Sequence, residues 1–171
     1  MTNESDPPAG GRSGVIQVGG APTTVYLVDD DTELREVAHE ILTDDGYAVT
    51  SAADGKEALE RLAAMADAHV PLPDVLVMDF VMPKLSGLGV LRALWRLGRL
   101  PPTIIVTGFP DPSVDVFAKK LGAFRVLRKP FEMEDLCAAV GEAAALRSKE
   151  TKIVAVGESP VSAKPRFRPP R

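Results

Sequence analysis

Three consecutive carboxylates, Asp29, Asp30 and Asp31, follow directly on the apolar run Val25-Tyr26-Leu27-Val28. A β-type run that ends in acids puts negative charge at the carboxyl edge of a sheet, the edge where open α/β sheets bind ligands. The same design recurs three times. Val75-Leu76-Val77-Met78 ends in Asp79, and Thr103-Ile104-Ile105-Val106 ends in Thr107. Phe124-Arg125-Val126-Leu127 leads through Arg128 to Lys129 and Pro130. If these four runs are parallel neighbours, acids, a hydroxyl and an ammonium gather on one rim. A single polar strand end means little; four of them suggest a site.

The intervening segments have helical periodicity. Leu34, Val37, Ala38, Ile41 and Leu42 repeat at one-face spacing, with Asp31 or Thr32 to cap the start and Gly46 to close the end in the left-handed conformation. Tyr47–Ser51 reads as a further strand. Asp54-Gly55 then opens a helix with Ala58, Leu59, Leu62, Ala63 and Ala66 inward. The almost continuously apolar Asp74–Asp79 stretch suits a central strand buried on both faces. A third helix carries Leu88, Leu91, Leu94 and Trp95, and Pro101-Pro102 stops its continuation. Asp111-Pro112 offers an N-cap with proline at the first helical position, for a helix ending near Leu121-Gly122. The last helix is expected from about Phe131 to Arg147, with Leu136, Ala139, Val140 and Ala143 on one side. Five strands alternating with five helices predict an α/β fold with a doubly wound parallel sheet.

Composition limits the function classes. The 171 residues suit one domain with extensions, and 45% hydrophobic residues argue against disorder throughout. The single Cys137 excludes an internal disulfide framework and fits a reducing compartment. It falls in an apolar helical pattern, as a small packing residue rather than a nucleophile. His39 lies off its helix's apolar face and His69 in a loop, and neither has a second histidine at ligand spacing. No run approaches the ~20 apolar residues of a membrane span, and the amino-terminal region lacks a signal pattern. A soluble cytoplasmic protein is expected. Its formal charge of -4 argues against a dedicated nucleic-acid binder. Residues 1–22, rich in glycine and proline, read as a flexible leader, and 23–147 as the folded domain. Residues 148–171 read as a disordered, proline-rich tail. From Arg147 onward, seven Lys/Arg stand against two Glu, which makes that tail basic.

Clustered carboxylates raise one another's pKa and are tolerated when a hard cation sits among them. Mg²⁺ takes oxygen ligands and keeps several waters, so two carboxylates and a backbone carbonyl suit it. A carboxylate held there can attack phosphorus to give an aspartyl phosphate, with a nearby lysine stabilising the transferring charge. Thr107 could donate a hydrogen bond to it. For Asp31 alone, a helix cap is the simpler role.

In Val28-Asp29-Asp30, Asp79-Phe80-Val81-Met82-Pro83 with Gly87, Val106-Thr107-Gly108 and Lys129-Pro130-Phe131, the chain resembles the receiver domain of bacterial two-component response regulators. The resemblance covers about Thr23 to Ala145. It implies a flavodoxin-like five-stranded parallel sheet in the order 2-1-3-4-5. It implies Asp79 as phosphoacceptor and Asp29 with Asp30 as the acidic pair of a magnesium site. Asp30, Asp79 and the Val81 carbonyl would hold Mg²⁺, and Thr107 and Lys129 would contact the phosphoryl group. It further implies a cis bond before Pro130 and a histidine kinase or histidine phosphotransfer protein as donor. Output would come through protein contact by an apparently single-domain regulator, without direct DNA binding, or the chain would serve as a phosphate sink or relay intermediate. One position departs from the family: the residue three before the lysine is usually Tyr or Phe and here is Val126. A Mg-dependent phosphatase of the haloacid dehalogenase type also uses a nucleophilic Asp. That family wants Asp-x-Asp-x-Thr/Val, and Glu33 ends the corresponding run here.

Overall fold

The computed structural model describes residues 21–98, 100–109 and 111–155. Ten elements alternate along the chain. They are β1 (Thr24–Val28), α1 (Thr32–Asp44), β2 (Ala48–Ala52), α2 (Gly55–Asp67), β3 (Val75–Asp79), α3 (Gly87–Arg96), β4 (Thr103–Thr107), α4 (Ser113–Lys120), β5 (Arg125–Arg128) and α5 (Met133–Ala155). All strand pairs are parallel, in the order β2-β1-β3-β4-β5. After β2 the chain returns across β1 to lay down β3. That reversal opens a crevice beyond the carboxyl ends of β1 and β3.

Side-chain alternation explains the two layers. Val25, Leu27, Val75, Val77, Ile104 and Val106 pack with Ala38 and Leu42 of α1 and with Leu136, Ala139, Val140 and Ala143 of α5. Tyr26, Val28, Leu76, Met78 and Ile105 face the other way, onto Ala58 and Leu62 of α2, Leu91 and Leu94 of α3 and Ala118 of α4. Every residue of β3 and of β4 is buried, as a central strand covered on both faces requires.

Local signals account for the helix ends. Asp31 Oδ1 accepts from the N–H groups of Glu33 and Leu34 at 3.0 and 3.1 Å. Such a cap contributes about 1 kcal/mol. Gly46, at φ 91°, closes α1, with its N–H on the Thr43 carbonyl and that of Tyr47 on Leu42.

Several expectations need adjustment. Val37 lies off the buried stripe and is 41% exposed, so the inward face of α1 is narrower than its sequence spacing implied. His39 is half-buried rather than exposed. At the start of α4, Pro112 rather than Asp111 stands at the N-cap and no side chain caps the helix, which begins at Ser113; Asp111 lies one residue earlier and accepts from Ser113 N–H at 2.8 Å. The second, third and fifth strands begin one residue later than the apolar runs suggested. The last helix continues to Ala155, past the expected end at Arg147. The stretch beyond Arg147 includes Lys149, Glu150 and Lys152, which are good helix formers despite the lost amphipathic period. The expected leader and the tail beyond Ala155 fall outside the described residues, except for Ala21 and Pro22. Among the described residues no helix is long and apolar enough to cross a membrane.

Cys137 is half-buried on α5, and burial first, then its hydrogen bond with Asp45 and that group's charge, push its thiol up to about 11. The thiolate is the reactive form. Alkylation at pH 8 is therefore expected to run roughly 100-fold slower than for an ordinary thiol, since each pKa unit is tenfold in thiolate. Iodoacetamide labelling followed by mass measurement checks this.

Candidate functional site

The strand register brings the polar ends together. Val28 of β1 lies beside Met78, Asp79 beside Val106, and Thr107 beside Arg128. The ladder continues past the regular strands, with Phe80 N–H on the Val106 carbonyl at 2.7 Å and Lys129 N–H on Thr107 at 2.8 Å. Asp29, Asp79, Thr107 and Lys129 therefore share one rim.

At its centre, the Lys129 ammonium donates to Asp79 Oδ2 at 2.8 Å and to Asp29 Oδ2 at 3.1 Å. Burial pulls the Lys129 pKa down, but the hydrogen bonds and charges of the two carboxylates outweigh it and the value lies above that of an ordinary lysine. Burial pushes the Asp29 carboxyl up, and the Asp79 charge adds to the rise. The Asp31 N–H, at 2.9 Å from Asp29 Oδ1, and Lys129 offset only part of it. Asp79 Oδ1 accepts from Val81 N–H at 3.2 Å. Thr107 is buried, and its Oγ accepts from Phe109 N–H at 3.0 Å, which leaves its O–H to donate elsewhere. The Lys129–Pro130 peptide bond is cis.

Oxygens of Asp29, Asp30 and Asp79 all lie within 4.8 Å of one another. Asp30 is the exposed member and is in no ion pair among the described residues. Three formal negative charges against the one positive charge of Lys129 leave two, which a divalent cation balances. An all-oxygen donor set, open to solvent at Asp30, fits Mg²⁺ better than a softer metal.

The loop between β3 and α3 closes over this rim. Gly87 N–H donates to the Phe80 carbonyl at 3.1 Å. A Cβ on Gly87 would lie 2.1 Å from the Asp79 carbonyl oxygen, so only glycine lets α3 start against the end of β3.

The profile of the response regulator receiver domain family matches residues 25–141. The chain belongs to that family. Response regulator MprA of Mycolicibacterium vanbaalenii is 38% identical over 117 residues, which is 68% of this chain and 48% of that protein. The DNA-binding transcriptional regulator NtrC of Escherichia coli is 36% identical over 119 residues, 70% of this chain and 24% of that protein. The chain thus spans at most about half the length of these relatives. Among solved structures, a CheY-like receiver domain from Methanospirillum hungatei superposes with a TM-score of 0.68 at 26% identity. It covers 76% of this chain, and 99% of that chain is matched. The receiver is flavodoxin-like, with the strand order expected from the sequence.

Four features of the receiver's site and flank had no signal in the sequence. Lys84 Nζ lies 2.5 Å from Asp54 Oδ2, a pair separated by thirty positions. Lys84 also adopts φ 66°, a left-handed conformation that favours glycine. On the flank, Arg128 reaches Asp115 at 3.0 Å and the Phe109 carbonyl at 3.5 Å. Arg125 pairs with Glu142. Of the four basic residues grouped in sequence around α4 and β5, Lys119 and Lys120 thus remain as exposed charges, while both arginines are balanced within the domain.

Proposed function

We propose that the chain is a phosphoacceptor of a two-component phosphorelay, with Asp79 as the acceptor. The single observation that supports this best is the Lys129 ammonium bridging Asp79 and Asp29 beside Asp30. An Asp79 carboxylate oxygen attacks the phosphorus of a phosphohistidine. The new O–P bond forms as the P–N bond breaks, and its electron pair stays on the imidazole nitrogen, which takes up a proton. Lys129 neutralises charge on the transferring group, and Thr107 donates its hydroxyl hydrogen to a phosphoryl oxygen. Asp30, Asp79 and the Val81 carbonyl would hold Mg²⁺, with Asp29 alongside. The metal, when bound, supplies positive charge to the phosphoryl oxygens. The donor is a histidine kinase or a histidine phosphotransfer protein, and output runs through protein contact rather than direct DNA binding, in the cytoplasm. Incubation with a phosphohistidine donor and Mg²⁺ should give an acyl phosphate mapped to Asp79. Phosphate on another residue would reject the assignment.

Asp30→Ala is expected to weaken Mg²⁺ by at least tenfold, since it removes a direct ligand and one of three clustered charges. Calorimetric titration checks this, and wild-type affinity in the variant would exclude Asp30 as a ligand.

Val126 is half-buried on β5 and has no ring to rotate. Change on this flank therefore runs through the Thr107–Phe109 loop and the Arg128 contacts to Phe109 and Asp115. Beryllofluoride, which mimics the phosphoryl group, is expected to shift amide resonances from Asp111 to Arg128. Shifts confined to the surroundings of Asp79 would show that α4 takes no part.

A further inference from the structure

We propose that Lys84 is a positioning residue for the magnesium-binding loop, holding the segment from Phe80 to Leu85 against the start of α2 through Asp54. This rests on the receiver reading above. Asp54 divides its two oxygens. Oδ1 caps α2, accepting from Lys56 and Glu57 N–H, each at 2.9 Å. Oδ2 takes the Lys84 ammonium at 2.5 Å. The hydrogen bond to Lys84, foremost, and the cap bonds hold the Asp54 carboxyl below the usual aspartate range, while Asp54 raises Lys84.

Two further observations show that the loop is seated rather than merely touched by a surface ion pair. A Cβ on Gly55 would lie 2.1 Å from the Leu85 carbonyl oxygen, so the loop backbone rests directly on the first residue of α2. Lys84 itself keeps a left-handed backbone at φ 66°, which an L side chain disfavours. The ion pair to Asp54 forms only while the loop stays docked. The other end of the loop is fixed by Gly87 against the Asp79 carbonyl. Val81 lies between the two anchors, with its N–H on Asp79 Oδ1 at 3.2 Å. Its carbonyl is the one proposed metal ligand that comes from the main chain, so its position depends on how the loop is held.

Positioning and simple charge make opposite predictions for Lys84→Met. Removing a cation near an acidic site tightens Mg²⁺ by Coulomb's law alone. Releasing the loop weakens it, and loss of a residue supporting a ligand typically costs roughly tenfold or more in metal affinity. Magnesium titration of the full chain is expected to show weaker binding in Lys84→Met, with recovery in Lys84→Arg, which keeps the ion pair. Labelling of Asp79 by acetyl phosphate should fall at limiting Mg²⁺ and return to the wild-type rate at saturation, a split that general destabilisation does not produce. Asp54→Asn keeps the cap oxygen but loses the ion pair. In that background, Lys84→Met should weaken Mg²⁺ no further. Unchanged or tighter binding in Lys84→Met, or additive losses in the double variant, overturns the proposal alone. A wild-type chain that does not bind Mg²⁺ overturns the proposed magnesium-dependent phosphoacceptor function, and this inference with it.

Discussion

Asp79→Asn is expected to take up no phosphoryl group, from a phosphohistidine donor or from acetyl phosphate, under conditions where the wild-type chain is fully labelled. The amide nitrogen and neutral carbonyl lack the nucleophilic oxygen that makes an acyl phosphate. The substitution keeps the shape of the side chain, so the fold should survive. Lys129 still has Asp29 at 3.1 Å, and one charge leaves a group of three carboxylates that repel one another. Stability should therefore change by no more than about 1 kcal/mol, the net value of a typical hydrogen bond. Acid-labile phosphate is measured on the intact chain and mapped by peptide mass. Asp29 and Asp30 are the two carboxylates that cluster with Asp79, and they are the internal controls. If Asp79→Asn labels as well as wild type, the acceptor is another group and the assignment of roles on the rim fails.

The reach of the sequence follows from how local each signal is. Four of the five strands were legible because each is a run with apolar residues that leads into a polar strand end, and the crossovers between strands are long enough for the helices that parallel pairing needs. Asp29, Asp79, Thr107 and Lys129 were legible for the same reason: each stands at or just past a strand end, so strand order alone brings them together. Caps were legible at Asp31 and Asp54, where an acid precedes a periodic segment. The width of α1's buried face was not, because Val37 lies at the margin of the stripe and only the packing of α1 on the sheet decides its side. Neither was the pairing of Asp54 with Lys84. It depends on a loop folding back over α2, and on Lys84 accepting a backbone conformation that its own side chain disfavours. The flank of α4 shows the same limit. A cluster of four basic residues in sequence reads as a positive surface, yet Arg125 and Arg128 are balanced by Glu142 and Asp115, which sequence distance concealed.

Gly87→Ala should cost the fold more than an ordinary surface change, and should cost the site as well. The added Cβ would stand 2.1 Å from the Asp79 carbonyl oxygen, 3.0 Å from its carbon and 3.2 Å from Met78 Cγ. Two of these are main-chain atoms of a central strand, which cannot rotate aside as a side-chain end could. Either α3 shifts away from β3, or the end of β3 moves and takes Asp79 with it. Overpacking of this kind costs about 1–3 kcal/mol and sometimes more. Gly98 is the control. It has φ 66° and nothing within 4 Å of its would-be Cβ, so Gly98→Ala bears the left-handed backbone cost without a clash. That cost is about 1–2 kcal/mol. The two variants can therefore melt at similar temperatures while differing in function. Gly98→Ala should accept phosphate on Asp79 at the wild-type rate, because it lies past the end of α3 and away from the rim. Gly87→Ala should lose both magnesium affinity and phosphate acceptance at temperatures where it is still folded. Thermal melting by circular dichroism, run beside acetyl phosphate labelling, separates the outcomes. If Gly87→Ala keeps wild-type labelling and melting, the start of α3 can yield without disturbing Asp79, and the close approach does not hold the acceptor in place.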